Sequence, residues 1–195
     1  MPHPRIIRLP VLAVLWLTVV LPPMRGWFES TMSAHMLLHI PALVLIGWGA
    51  GARLDKCCPR MTAALRPFRW ALLFGAISTL GIWMIPRLLD LAAESFFVDL
   101  VKAVTLTLTG GLSLNLGWRN TGPVARGLIH IEAMASLIRL GWIYAESPAR
   151  LCTRYGLNDQ YWLGNALLVA GGLYAATMAW RALSGTSSTS SFAPR

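Results

Sequence analysis

The sequence predicts an all-α protein, a polytopic bundle of transmembrane helices, and its composition and hydropathy carry that prediction. Of the 195 residues, 55% are apolar and only 13% are charged, and the mean hydropathy is +0.56. In soluble domains about a quarter of the residues are charged, so this composition disfavours a water-soluble globular protein. The 9 Trp, 17 Gly and 12 Pro fit a membrane chain, because Trp concentrates at bilayer interfaces and Gly and Pro are tolerated in spanning helices.

Six apolar segments approach the length of about 20 residues that a spanning helix requires. They run over Ile6–Leu21, Thr31–Ala50, Trp70–Leu88, Phe97–Trp118, Gly127–Ala145 and Trp162–Leu183. The first segment has basic residues before it, as a secretory signal does, but no small-x-small cleavage motif follows, so we expect a retained helix. Short polar connections predict one transmembrane domain over residues 1–183, and the Ser/Thr-rich residues 184–195 predict a disordered cytoplasmic tail.

The basic residues, which give the chain a net charge of +9, predict its orientation. With the N-terminus in the cytoplasm, 11 Lys and Arg residues fall in inner connections and 4 in outer ones. The inner ones are Arg5, Arg8, Arg53, Lys56, Arg60, Arg66, Arg69, Arg119, Arg126, Arg181 and Arg195, and the outer ones are Arg25, Arg87, Arg150 and Arg154. Cytoplasmic loops carry the Lys/Arg excess, so both termini are expected in the cytoplasm. Charges spread between apolar runs do not form the single basic face of a nucleic-acid-binding protein.

The second segment begins with a stripe of potential metal ligands. Met32, His35, Met36 and His39 are spaced i, i+3, i+4 and i+7, which places them on one side of a helix near the outer membrane face. Imidazole is the commonest side-chain metal ligand, and thioether sulfur favours Cu(I) over hard ions. Zinc fits less well, and haem is less favoured because two axial histidines normally come from facing helices. The alternative is that the methionines contact lipid or pack, and that the histidines bind carbonyls or water.

The fourth and fifth predicted spans contain Asp99, Lys102, Glu132 and Arg139, and ionisable side chains at membrane depth indicate function. Asp99 and Lys102 are three residues apart, so we expect them to pair; alternatively, Asp99 accepts a hydrogen bond from a histidine of the stripe. Glu132 and Arg139 share a helix face, but two helical turns separate them, so we expect their partners on other helices.

No motif in the sequence favours catalysis. A Ser-His-Asp order, a phosphate-binding glycine loop, H-E-x-x-H and paired carboxylates are all missing from the sequence. The cysteines, Cys57, Cys58 and Cys152, form neither a disulfide framework nor a zinc pattern, and we expect reduced thiols. We therefore predict a protein without enzymatic activity.

Two motifs resemble those of the CtaG-type membrane family, which is associated with copper delivery during cytochrome c oxidase assembly. Ser33–His39 is similar to that family's H-M-x-x-H signature at the start of a membrane helix. Residues 157–164, with Asp159, Gln160 and Gly164, resemble its D-Q-x-x-x-G entry to the last helix, and Gly171-Gly172-Leu173-Tyr174 and Trp180-Arg181 continue that likeness. The chain is shorter than family members and lacks the histidines that they carry at the start of a middle helix, so it resembles a diverged relative.

This resemblance implies a multi-pass protein of the bacterial inner membrane with a copper-handling face toward the periplasm. It also implies a haem-copper oxidase as the partner, and a metallochaperone role without catalysis. A non-catalytic accessory subunit of a membrane complex is the alternative, favoured by short loops and sparse chemistry. A small transporter is less favoured, because the sequence shows no inverted repeat.

Overall fold

The computed structural model of the chain describes residues 9–22, 24–28, 30–151 and 155–184. Its regular secondary structure within these ranges is entirely helical, which confirms the all-α prediction. The helices are α1 (Leu9–Val20), α2 (Met24–Phe28), α3 (Met32–Cys57), α4 (Pro59–Trp83), α5 (Pro86–Glu94), α6 (Phe96–Arg119), α7 (Pro123–Glu146) and α8 (Leu157–Leu183). The predicted disordered tail lies outside the described residues except for Ser184.

Among the described residues, four helices are long and apolar enough to cross a membrane: α3, α6, α7 and α8. They correspond to the second, fourth, fifth and sixth segments of the sequence. Helices α4 and α5 pass the same test only as a pair, which makes up to 5 spans among the described residues. The described part of α1 has 12 residues, short of the about 20 that span a bilayer. The described chain thus supports a membrane protein with four or five candidate spans, and the predicted count of six is not confirmed.

The third predicted segment, Trp70–Leu88, differs most from the structure. Helix α4 begins earlier, at Pro59, and the chain bends by 73° between α4 and α5. The bend follows from Pro86, which begins α5: proline disfavours helical geometry in the residue before it, and Ile85 is extended at φ −73° and ψ 121°. Helix α5 therefore turns away from the axis of α4 and does not prolong it.

Helices α3, α6 and α8 run in one direction, and α4 and α7 return in the other. We call the end at which α3, α6 and α8 begin the upper end of the bundle. At the opposite end Arg119 Nη1 lies 2.8 Å from Asp55 Oδ2, which joins the last turns of α6 and α3. The first turns of α3 and α6 consequently lie side by side at the upper end.

Glycine lets α3 and α6 touch along their backbones. A Cβ atom added to Gly47 would lie 2.0 Å from the carbonyl oxygen of Thr107, and one added to Gly111 would lie 2.2 Å from that of Val44. Small residues at a membrane helix crossing permit this close approach. Each helix also contains a π-helical segment, His35–His39 in α3 and Leu106–Leu112 in α6, a feature frequent at functional sites.

Helices α7 and α8 form an antiparallel hairpin at the side of the bundle. A Cβ atom on Gly164 would lie 2.5 Å from the backbone nitrogen of Ala145, so the two helices pack closely on each other. In the most apolar stretch of each of these two helices, 11% of the residues are buried inside the protein. The corresponding shares are 28% in α3 and 33% in α6. The hairpin therefore presents most of its surface outward.

Candidate functional site

The predicted His/Met stripe faces the interior of the bundle at its upper end. Met32, His35, Met36 and His39 are 1%, 2%, 4% and 1% exposed, so the methionines do not contact lipid. Thr31 caps the helix by accepting a hydrogen bond from the backbone nitrogen of Ala34 at 3.2 Å, and the π-helical turn follows directly. We call these four side chains the His/Met cluster.

The two imidazole rings of the cluster lie against each other. Their centroids are 5.2 Å apart and their planes are perpendicular, at 90°. On its other side the His39 ring stacks on Phe28 of α2, with centroids 5.3 Å apart and planes inclined by 12°. Helix α2 therefore covers the cluster with an aromatic ring, and the histidines are enclosed by protein.

His39 is a buried polar group with no hydrogen-bond partner in the part of the chain that the structure describes. Neither its Nδ1 nor its Nε2 has one among the described residues. Burying a donor or acceptor unsatisfied costs about 1–3 kcal/mol, and such a group in a folded protein calls for an explanation such as a bound ion or water. This imidazole is therefore the strongest candidate ligand in the described part of the chain.

His35 belongs to a chain of charged groups that links three helices. Its Nε2 lies 3.2 Å from the Nζ atom of Lys102, and that Nζ lies 2.6 Å from Asp99 Oδ1. The second carboxylate oxygen, Oδ2, lies 3.0 Å from Nε of Arg25. Lys102 and Asp99 are 0% and 1% exposed, so these charges are held inside the protein.

The expected contact between Asp99 and Lys102 is present, and the contact with the histidine stripe runs through the lysine. An ammonium group only donates hydrogen bonds. His35 Nε2 must therefore accept, and its ring proton is assigned to Nδ1. Asp99 is the counterion of Lys102. The alternative expectation, that Asp99 accepts a hydrogen bond directly from a histidine, does not match this arrangement.

Arg25 belongs to the site, although the sequence predicted it only as a basic residue of an outer loop. It lies in α2, its Nη2 donates to the carbonyl oxygen of Ala92 at 3.5 Å, and its guanidinium lies 5.7 Å from the ring centre of Phe96. These contacts join α2, α5 and α6 over the upper end. The available signal was that Arg25 lies on the outer side of the membrane in the predicted topology, as does the start of the span that carries Asp99.

The second motif places a buried glutamine between α7 and α8. Asp159, the residue selected from the sequence, is half-buried in the first turn of α8. Gln160 beside it is 3% exposed; its Oε1 accepts from the backbone nitrogen of Leu151 at 2.9 Å, and its Nε2 donates to the carbonyl oxygen of Tyr144 at 3.3 Å. Gln160 thus fixes the connection between the two helices, which gives the motif a structural role.

The expectation that Glu132 and Arg139 have partners on other helices is wrong. Arg139 Nη2 pairs with Glu132 Oε1 on the same helix, and Ser136 Oγ between them donates to the same oxygen at 3.2 Å. The two helical turns span about 10 Å, which two long side chains bridge. The pair lies outside the site: Arg139 and Glu132 are 62% and 57% exposed on the outer face of α7.

The donor set decides which metals suit the His/Met cluster. No group of three or more His, Cys, Asp or Glu side chains in the described ranges is arranged to hold a metal ion. A metal here would need the thioethers of Met32 and Met36 beside the imidazoles, and soft ligands of this kind fit Cu(I). Cys57 and Cys58 are free and exposed at the far end of α3, and Cys152 lies outside the described residues.

Comparison with known proteins does not assign this chain to a family. No protein-family model matches it, and neither a curated protein nor a solved structure matches it. The likeness to CtaG-type proteins therefore stays a prediction from two motifs, and the chemistry of the upper end carries the functional argument.

Proposed function

We propose that this chain is an integral membrane protein that handles Cu(I) at the His/Met cluster. In this proposal it presents the ion near the periplasmic face of a bacterial inner membrane, for metallation of a haem-copper oxidase, as the resemblance to CtaG-type proteins implies. The observation that carries the proposal is His39, which is 1% exposed and has two ring nitrogens without hydrogen-bond partners in the described chain. Two buried thioethers, Met32 and Met36, share its side of the helix.

The charge of the surroundings favours a monovalent ion as cargo. The ligands of the cluster are neutral, and Lys102 and Arg25 place two positive charges against the single carboxylate of Asp99 nearby. Desolvation of an ion grows steeply with its charge, and buried charges need compensation. Cu(I) thus meets a smaller penalty here than any divalent cation, in addition to its preference for sulfur and imidazole.

The location of the cluster suits transfer to another protein. It lies in the first two turns of α3, at the upper end of the bundle, where Phe28 of the short helix α2 stacks on His39. A cargo held at this depth is close to the membrane surface, where a donor or acceptor protein approaches. The Lys/Arg count in the loops predicts that this surface faces the periplasm.

A competition titration tests the proposal. The protein, purified in detergent under reducing conditions, is titrated with Cu(I) against a chromogenic chelator. We expect His39→Ala to weaken binding by about a hundredfold or more, because loss of a ligand exceeds the 10–100-fold effect of a residue that only supports a ligand.

His130→Ala is the matched control for this titration. His130 lies in α7 and hydrogen-bonds Tyr174 Oη, and its ring is 5.0 Å from that of Trp118, at the end of the bundle away from the cluster. This variant should bind Cu(I) as the wild type does. Equal affinity of the wild type and His39→Ala would overturn the proposal.

A second candidate function, an accessory subunit of a membrane complex, is favoured by the exposed pair of Glu132 and Arg139. Ionisable side chains within membrane spans almost always face protein or water, whereas this pair lies on the outer surface of α7. The proposed partner covers the pair with transmembrane helices that carry polar groups. Copper delivery and such an association are compatible, since a delivery protein must dock on its acceptor.

Site-specific photo-crosslinking separates this candidate from a free protein. A photoreactive residue at Ile143, which is 51% exposed one turn after Arg139, is compared with one at Leu173, which is 64% exposed on α8. We expect a discrete protein adduct from position 143 in native membranes and none from position 173. Lipid adducts alone from both positions would contradict the candidate.

A further inference from the structure

We propose that Lys102 is a built-in competitor of the metal at His35. Its ammonium group holds Nε2 of His35 in the metal-free protein, gives way when Cu(I) loads, and returns when the ion leaves. This inference rests on the proposed function and extends it, because it assigns to a residue that is not a metal ligand the control of how tightly the site holds its cargo.

The geometry makes the two occupants of Nε2 mutually exclusive. Lys102 Nζ lies 3.2 Å from His35 Nε2, and the ring nitrogen has one lone pair in its plane. A lone pair that accepts a hydrogen bond from an ammonium group cannot bind a metal ion at the same time. Cu(I) therefore reaches this nitrogen only after the ammonium group has moved.

Asp99 gives the displaced ammonium group a place to go. Its Oδ1 already lies 2.6 Å from Lys102 Nζ, and Arg25 holds the other oxygen at 3.0 Å from Nε. The carboxylate thus stays oriented by α2 while the lysine moves. Displacement from His35 leaves Lys102 with its counterion, so that no isolated charge is created in the interior.

The competitor also lowers the cost of unloading. When a metal ion leaves a buried imidazole, the lone pair that held it becomes an unsatisfied hydrogen-bond acceptor. At His35 the ammonium group takes the place of the ion at once, because Lys102 is 0% exposed and confined beside the ring. Release of Cu(I) is then an exchange of one cation for another, which suits a protein that must give its cargo away.

Replacement of Lys102 by leucine tests the inference. Lys102→Leu removes the charge and the hydrogen-bond donor, and it adds no sulfur that could itself bind Cu(I). We expect it to bind Cu(I) at least about tenfold more tightly than the wild type, the scale on which residues that support a ligand act. Lys56→Leu, at the exposed far end of α3, removes a lysine away from the cluster and should leave the affinity unchanged.

The outcomes separate this inference from the proposed function. If His39→Ala loses binding while Lys102→Leu binds as the wild type or more weakly, the competitor role is overturned and the copper site stands. If neither the wild type nor Lys102→Leu binds Cu(I), both are overturned. Tighter binding by Lys102→Leu and unchanged binding by Lys56→Leu support the inference.

A second measurement needs neither copper nor a stable leucine variant. Nitrogen-15 NMR of the histidine rings reports which ring nitrogen carries the proton, and we expect an unprotonated, hydrogen-bonded Nε2 for His35 in the metal-free wild type. Protonation at Nε2 would overturn the inference.

Should Lys102→Leu not fold, Lys102→Gln and Lys102→Arg replace it. The neutral glutamine should tighten Cu(I) binding and the charged arginine should not. Equal affinities of the two variants would overturn the competitor role.

Discussion

Two ion pairs of the described chain each form within a single spanning helix, and their surroundings differ. Asp99 and Lys102 are buried and connect to Arg25 and His35, which come from other helices. Glu132 and Arg139 bind each other within α7 and are more than half exposed. Both pairs have helical spacing in the sequence, so spacing alone does not distinguish them. Burial distinguishes the pair that contacts other helices inside the bundle from the pair that faces outward.

Removal of the buried carboxylate is the strongest way to test this difference. Asp99→Ala leaves Arg25 and Lys102 without their shared anion in the interior. Breaking a buried pair by removing one partner costs about 3–5 kcal/mol, so we expect a large loss in unfolding free energy, measured by denaturant titration in detergent. Glu94→Ala, an exposed acid at the end of α5, is the control, and equal stability of the two variants would refute the buried network.

The glycine contact beneath the cluster should be nearly as sensitive. In Gly47→Ala the new methyl group meets the Thr107 carbonyl oxygen at 2.0 Å, which forces α3 and α6 apart. Overpacking costs about 1–3 kcal/mol, and a clash with backbone belongs at the upper limit. Gly172→Ala, with nothing within 4 Å of the added atom, should unfold like the wild type. A similar melting temperature for both variants would contradict the close crossing.

Gln160→Ala should have an intermediate effect. It frees the backbone nitrogen of Leu151 and the carbonyl oxygen of Tyr144 from their side-chain partner, at a cost of about 1–3 kcal/mol. Asn165→Ala, one turn later on an exposed face where its Nδ2 donates to the Tyr161 carbonyl, should cost less. Protease cleavage in the connection between α7 and α8 should increase only in the first variant, and unchanged cleavage there would contradict the role assigned to Gln160.

The outer pair gives the smallest predicted effect on the isolated chain. Glu132→Gln should lower the unfolding free energy in detergent far less than Asp99→Ala does, because the glutamine amide oxygen can still accept from Arg139 and the exposed pair connects no second helix. The same variant should reduce the crosslink from position 143 in native membranes if α7 is covered there. A loss of stability as large as that of Asp99→Ala would show that both pairs are structural and erase the distinction.

Much of the fold was predictable because a bilayer imposes its own pattern on a chain. Apolar length alone located α3, α6, α7 and α8, since every backbone group in lipid must be satisfied within a helix. The bend before Pro86 was harder to predict, because prolines also occur within straight spans and packing decides whether the helix breaks. The sequence therefore counted a straight third span where the structure has the pair α4 and α5.

The candidate site was predictable where it depends on one helix and not where it depends on several. Helical spacing placed Met32, His35, Met36 and His39 on one face, and the structure buries that face. The contact of His35 with Lys102 joins residues 67 positions apart, and Arg25 enters from a short helix that no apolar pattern marks. Such contacts follow from how helices pack, and a single sequence does not encode them in any local spacing.

The ion pairs of α6 and α7 have a consequence for biogenesis. Asp99 in α6 and Glu132 in α7 each pair with a basic residue on the same helix, Lys102 and Arg139. A lone charged side chain adds about 2.5–3.5 kcal/mol to the cost of insertion at a helix centre. Because each pair forms within one helix, neither helix needs a second helix to lower that cost for its paired charges. Lys102 thus reaches His35 accompanied by the counterion that later receives it.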